Sequence, residues 1–122
     1  MNINPVEIIE EYYTSLAKKN VQSIEKYLHP DVRFIGPLDV VKGKKSVLEA
    51  TQNFAAFFKT LTIRAKFGSK DQAIIVYDVD FPEPMGKIRS TSLMTFKDGL
   101  VTEIELFYDG RPVEKMKSQI FS

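Results

Sequence analysis

The sequence predicts an α+β domain: a curved antiparallel sheet closed by N-terminal helices into a cone with an internal pocket. Three observations carry that prediction. Up to residue 61 the apolar side chains recur at helical spacing. From residue 62 the apolar period drops from about 3.6 to 2. The strands so marked are joined mostly by short turns, which makes them antiparallel neighbours, and helices gathered at one end of such a sheet cover one of its faces. At 122 residues the chain fits one domain, 1–122, large enough to bury about two-thirds of its unfolded surface.

Each element has a local reason. Asn4 can cap a first helix, Pro5 suits its first position and Glu7 lies three residues after the cap. Ile9, Tyr12, Tyr13 and Leu16 follow at helical spacing, and "KKN" at 18–20 ends the run. Asn20 can cap a short second helix with Val21, Ile24 and Leu28 on one face, closed at His29 by Pro30. "VRFI" at 32–35 reads as a strand and "PLDVVKGKK" as a loop. Ser46 with Glu49 forms a second capping box for a helix carrying Val47, Thr51, Phe54, Phe58 and Leu61. "TIRAKF" then sets Ile63, Ala65 and Phe67 against Thr62, Arg64 and Lys66, and "GSKD" turns the chain. "AIIVYDVDF" places Ile75, Tyr77, Val79 and Phe81 on one face. "IRSTSLMTF" and "LVTEIELFY" are strands flanking "KDG" at 97–99, where Gly99 can supply positive φ. A tail with Met116, Ile120 and Phe121 follows "DGRP".

Composition narrows the function. Apolar residues make up 43% and aromatics 11%, with nine Phe and five Tyr, suited to lining a pocket. A net charge of +1 lacks the basic face that nucleic acid requires. Without Cys there is no thiol or disulfide chemistry, and one His makes a zinc site improbable. No apolar run approaches the ~20 residues of a membrane span, and "MNINPVEIIEEYY" does not read as a signal peptide. A soluble, cytoplasmic protein is expected. No cofactor is implied, since there is neither a Gly-rich phosphate loop nor a metal cluster.

"IIEEYYTSLAKKNVQSIEKYLHPDVRFIGP", "VKGKKSVLEATQNF" and "MTFKDGLVTEIELFYD" together resemble the nuclear transport factor 2-like (cystatin-like) superfamily, in its SnoaL-like and ketosteroid-isomerase-like branch. The resemblance covers nearly the whole chain. It implies the cone-shaped fold and an internal pocket; it does not fix the function, because this fold serves many. Ketosteroid isomerase combines an Asp base with a Tyr and a protonated Asp as oxyanion donors. On this resemblance the Tyr falls on Tyr12, the base on Gly36 and the protonated Asp on Ser92. Gly36 takes no proton and Ser92 is a poor substitute for an acid, so that mechanism is not expected. The resemblance also turns Tyr77, Phe81, Ser92, Met94, Ile104, Leu106 and Tyr108 inward, with Phe34, Phe54 and Phe58 completing the lining. Alternation alone agrees for the strands.

Two readings stand beside each candidate. Tyr12 is a core residue, or a donor to a ligand carbonyl. His29 is a helix-end residue favoured by the dipole, or a general base. Asp109 is a turn residue before Gly110, or an acid/base at the pocket mouth. Asp39 is a loop residue that a small shift brings toward Gly36. Asp78 and Asp80 share a strand face, read as solvated or dimer-facing. Arg111 beside Asp109 reads as a surface ion pair. The expected partner is a small apolar molecule: either the substrate of a small isomerase, cyclase or lyase acting on a carbonyl compound, or the ligand of a non-catalytic module. A homodimer through the outer sheet face, which could hold Ile74, Val76, Leu93 and Thr95, is expected too.

Overall fold

The computed structural model describes residues 4–111; the tail with Met116, Ile120 and Phe121 lies outside the described residues. Helix α1 spans Pro5–Ala17, and the side chain of Asn4 accepts from the Val6 amide at 3.1 Å. Ile9, Tyr12, Tyr13 and Leu16 form its buried stripe. A 3₁₀-helix, Val21–Tyr27, follows in place of the expected α-helix. It stops before Leu28, because β1 (Leu28–Ile35) already includes His29 and Pro30. The predicted loop contains a short strand, β2 (Val40–Lys42). Helix α2, Lys44–Phe57, starts two residues before Ser46, and Gly43 stands at its N-cap with no side-chain cap bond, so Ser46 does not open it. The strands β3 (Thr60–Gly68), β4 (Gln72–Asp80), β5 (Lys87–Lys97) and β6 (Leu100–Phe107) complete the fold.

The sheet runs β2-β1-β6-β5-β4-β3 and remains open. All neighbours are antiparallel except β1 and β6, which bring the two ends of the fold together in parallel. Helix α1 lies across β3 and β4, and α2 packs on β1 and the 3₁₀-helix, so one face of the sheet is covered. The β5–β6 hairpin turns on Asp98 and Gly99, both at positive φ (52° and 83°), the backbone that a two-residue turn between twisted strands favours. At the other end of the sheet α1 rides close on β3: a Cβ added at Gly68 would stand 2.7 Å from Val6 Cγ2. Glycine is what that approach permits.

Alternation orders the inner face. Ile75, Tyr77, Val79, Ser92, Met94 and Ile104 are all buried against the helices. Burying an aliphatic side chain of this kind contributes about 1.5–3 kcal/mol. Strand β3 breaks the pattern. Ile63 pairs with Tyr77 but Ala65 pairs with Val76, so Arg64 is an extra, bulged residue. Beyond it the alternation is inverted. Lys66 turns toward α1, where it pairs with Glu10. Phe67, expected on the same face as Ile63, points outward beside Ile74 and is 65% exposed.

The outer face therefore carries a band of apolar side chains: Phe67, Ile74, Leu93, Val76 and Phe107 on adjacent register positions. At its edge Asp78 is largely buried between two guanidinium groups. Arg89 Nε donates to it at 2.9 Å and Arg64 Nη1 at 3.3 Å, and the Arg89 bond holds its carboxyl below the ordinary range. This pairing, not solvation, accounts for a carboxylate on that face. No helix among the described residues is long and apolar enough to cross a membrane.

Candidate functional site

Three small neighbouring compartments lie along the inner side of the sheet, two of them between sheet and helices and the third between β1, β2 and Tyr108. The largest, about 40 Å³, is lined by Tyr12, Tyr13, Leu16, Phe34, Val47, Ala50, Thr51, Phe54, Tyr77, Ile104 and Leu106. It has room for roughly two or three water-sized groups. A second, about 20 Å³, lies among Phe54, Tyr77, Val79, Phe81, Ile88, Ser90, Leu106 and Tyr108. A third, about 10 Å³, lies among Phe34, Gly36, Leu38, Asp39, Val41 and Tyr108. Shared walls separate them: Phe54, Tyr77 and Leu106 between the first two, Tyr108 between the second and third. To join the compartments into one cavity, Phe54, Leu106 and Tyr108 would have to rotate, since Tyr77 is held by Ser92.

The floor of the first compartment is a set of buried hydroxyls. Tyr13 donates to Ser92 Oγ at 2.6 Å. Ser92 Oγ and the Tyr77 hydroxyl are 3.0 Å apart, so Ser92 bridges the two tyrosines. Their rings pack at 4.8 Å. A hydroxyl can donate once and accept, so three of them in a triangle can satisfy one another. Burial raises the pKa of Tyr13 and raises that of Tyr77 further, so both stay neutral. Tyr12 stands beside this triangle, its ring 5.2 Å from that of Tyr13, and lines the same compartment as Thr51; burial raises its pKa strongly. The sequence singled out Tyr12 and Ser92. Ser92 meets Tyr77, which the sequence also turned inward, and Tyr13, which the sequence placed only in the helix stripe, along with Leu16.

Tyr108 is different. Its hydroxyl oxygen is buried yet meets no hydrogen-bond partner among the described residues, and burial pushes its pKa up to about 12. It closes the second and third compartments.

The expected acid/base groups lie elsewhere. Asp109 is exposed and held by Arg111, whose Nη2 donates at 2.6 Å and whose backbone N–H donates at 3.1 Å. These bonds draw its pKa down to about 2. His29 sits in β1, where its Nδ1 accepts from the Asp31 amide at 3.0 Å. Asp39 borders the third compartment; its carboxylate accepts from the Val40 amide at 2.9 Å, and its carbonyl accepts from Gly36 N–H at 2.8 Å. Phe81 lines the second compartment, while Phe58 and Met94 are buried in the core behind the cavity walls. Phe58 packs on Phe54 at 4.9 Å and lies under the Lys19 ammonium, 4.1 Å from its ring centroid. Lys19 also donates to the carbonyls of Ala55 and Phe58, satisfying the end of α2 and fixing the helix that carries Thr51 and Phe54. No group of three or more possible metal-ligating side chains occurs among the described residues.

A family profile described as SnoaL-like domain matches residues 9–104. The chain belongs to the SnoaL-like family. Solved structures agree on the fold. A nuclear transport factor 2-like protein of unknown function from Cytophaga hutchinsonii ATCC 33406 superposes with a TM-score of 0.81 at 19% identity, covering 93% of this chain and 97% of that one. A bacterial protein with a cystatin-like fold from Silicibacter pomeroyi DSS-3 gives 0.83 at 18%, covering 94% and 83%. A steroid delta-isomerase from Pseudomonas aeruginosa gives 0.81 at 13%, covering 98% and 92%. At such identities the likeness speaks for the fold alone. A comparison with curated proteins finds no match. The SnoaL-like cone of this chain thus carries tyrosine and serine hydroxyls around its main compartment, with its nearest candidate carboxylate, Asp39, at the third.

Proposed function

We propose that this SnoaL-like domain binds a small, uncharged, mostly apolar molecule inside its cone. One observation carries the reading: hydrocarbon and hydroxyl groups line the two larger compartments, with no Lys, Arg, His, Asp or Glu among them. An ion placed there would lose its hydration without gaining a counter-charge. A neutral molecule would exchange water for apolar walls and find hydroxyls that donate and accept. Native mass spectrometry of gently purified protein tests this. A co-purified neutral molecule that is lost from a Leu106→Trp variant, in which the shared wall is overfilled, supports it. A tightly held anion or cation overturns it.

A second reading, a small isomerase, cyclase or lyase acting on a carbonyl compound, is favoured by Asp39 beside Gly36 and Tyr108. Such reactions begin by removing a proton next to a carbonyl. Hydrogen–deuterium exchange at the α-carbon of a ketone would expose that step. Exchange accelerated by the protein and lost in Asp39→Asn supports catalysis; exchange at the buffer rate in both removes it.

We also propose a homodimer formed through the outer sheet face. Phe67 and Phe107 are 65% and 52% exposed there, and an apolar band of this kind favours a partner surface. Sedimentation velocity should give a dimer that Phe67→Lys dissociates. A monomer at all concentrations rejects it.

A further inference from the structure

Resting on the ligand-binding reading, we infer that Tyr108 is the polar anchor of the cavity: its hydroxyl donates to a carbonyl, ether or hydroxyl oxygen of the ligand, which lies in the compartment shared with Ser90 and Leu106. The hydroxyl triangle of Tyr13, Ser92 and Tyr77 uses its own donors, so a ligand that brings only an acceptor would have to break it to be recognised there. The Tyr108 hydroxyl, on a partly buried residue, is itself shielded and has no partner among the described residues. A buried donor left unmade is costly, and an acceptor delivered by a ligand recovers that cost. Ser90, 6% exposed and lining the same compartment, offers a second hydroxyl to the same oxygen. Ser90 and Ser92 lie two residues apart on one face of β5, so Ser90 stands about 7 Å along the strand from the Ser92 of the closed triangle. The ligand this geometry selects is uncharged, apolar along the stretch that meets Phe54 and Leu106, and carries its acceptor oxygen at the Tyr108 end.

The test uses matched probes on the full chain: 1-indanone, indane (the same frame without the oxygen) and indane-1-carboxylate (the same frame with a charge). Amide shifts in NMR titration read the affinity. The native protein should bind 1-indanone about 3- to 10-fold more tightly than indane, and the carboxylate more weakly than either. In Tyr108→Phe that ketone preference should vanish while indane binding is kept. Intermolecular NOEs in the native protein should run from the indanone ring to the methyls of Ile88 and Leu106, a readout that does not depend on the variant folding. A ketone preference that survives Tyr108→Phe overturns the anchor while leaving the ligand-binding reading intact. So does equal binding of the two neutral probes, in which case solvent satisfies the hydroxyl. So do NOEs confined to Leu16 and Val47. Failure of both neutral probes to bind rejects the ligand-binding reading itself, and the anchor falls with it.

Discussion

At one end of the cavity Tyr13 and Tyr77 both reach Ser92, and each buried hydroxyl has a partner. At the other end Tyr108, only partly buried as a residue, presents a shielded oxygen without a partner among the described residues to space bounded by hydrocarbon and Ser90. The two ends use one functional group for opposite purposes. A satisfied hydroxyl network fixes the packing around it and resists rearrangement. An unsatisfied one lowers stability and keeps a hydrogen bond in reserve for something that arrives later. The contrast separates the part of the interior that holds the fold from the part that can recognise a ligand.

Truncation at the closed end should have the largest effect. Tyr77→Ala removes a buried ring stacked on Tyr13 and should destabilise by about 3–5 kcal/mol, read from the urea midpoint at constant slope. A loss below about 1 kcal/mol would mean that the triangle does not brace the fold. The comparison sharpens with single hydroxyls. Ser92→Ala leaves the triangle open and should cost about 1–3 kcal/mol. Tyr108→Phe removes a donor that has no partner among the described residues and should be neutral or stabilising, within about 1 kcal/mol. Equal losses at the two positions would erase the distinction drawn here.

Alkaline pH separates the ends by charge. Burial raises the Tyr13 and Tyr77 pKa values above the unfolded value of about 10. Their contribution to stability is therefore complete below pH ~10 and is lost as pH rises beyond it, because only the unfolded chain ionises easily there. Absorbance titration should show Tyr108, pushed to about 12, ionising before the triangle. Tyr13 and Tyr77 should ionise only with loss of structure. The smallest effect belongs to Asp109. Its folded pKa is depressed to about 2 by Arg111, so its contribution is present above the unfolded value near 4 and fades as pH falls toward 2. Because the pair is exposed, Asp109→Asn should leave the acid unfolding midpoint nearly unchanged. A marked shift would give Asp109 a structural weight that its position denies.

Much of the architecture was legible because local and tertiary preferences agree. Asn4 and Pro5 mark the start of α1, Asp98-Gly99 marks the tightest hairpin, and period-2 alternation gives the inner faces of β4, β5 and β6. What was not legible depended on partners distant in sequence. Strand β2 exists because Val40 and Val41 find Ile35 and Phe34 across a turn; three residues carry no period of their own. The Arg64 bulge is defined by β4, not by anything in "TIRAKF". Tyr12 and Tyr13 look alike on a helix stripe. Only Ser92, 79 positions away, distinguishes them. Tyr108 could be listed from sequence as one inward hydroxyl among several, but its lack of a partner among the described residues is a property of the packed interior.

The bulge also decides what the outside of the molecule shows. Because Ala65 and not Arg64 pairs with Val76, Lys66 stands opposite Ile75 and Phe67 opposite Ile74. A one-residue slip in which Arg64 paired with Val76 would restore plain alternation, bring Lys66 opposite Ile74 on the outer face and turn Phe67 inward. Such a slip would replace an adhesive aromatic with a repelling cation while leaving the inner rows of β4, β5 and β6 as they are. In such a fold, the register of an edge strand offers a route by which self-association can be gained or lost independently of what the cone holds.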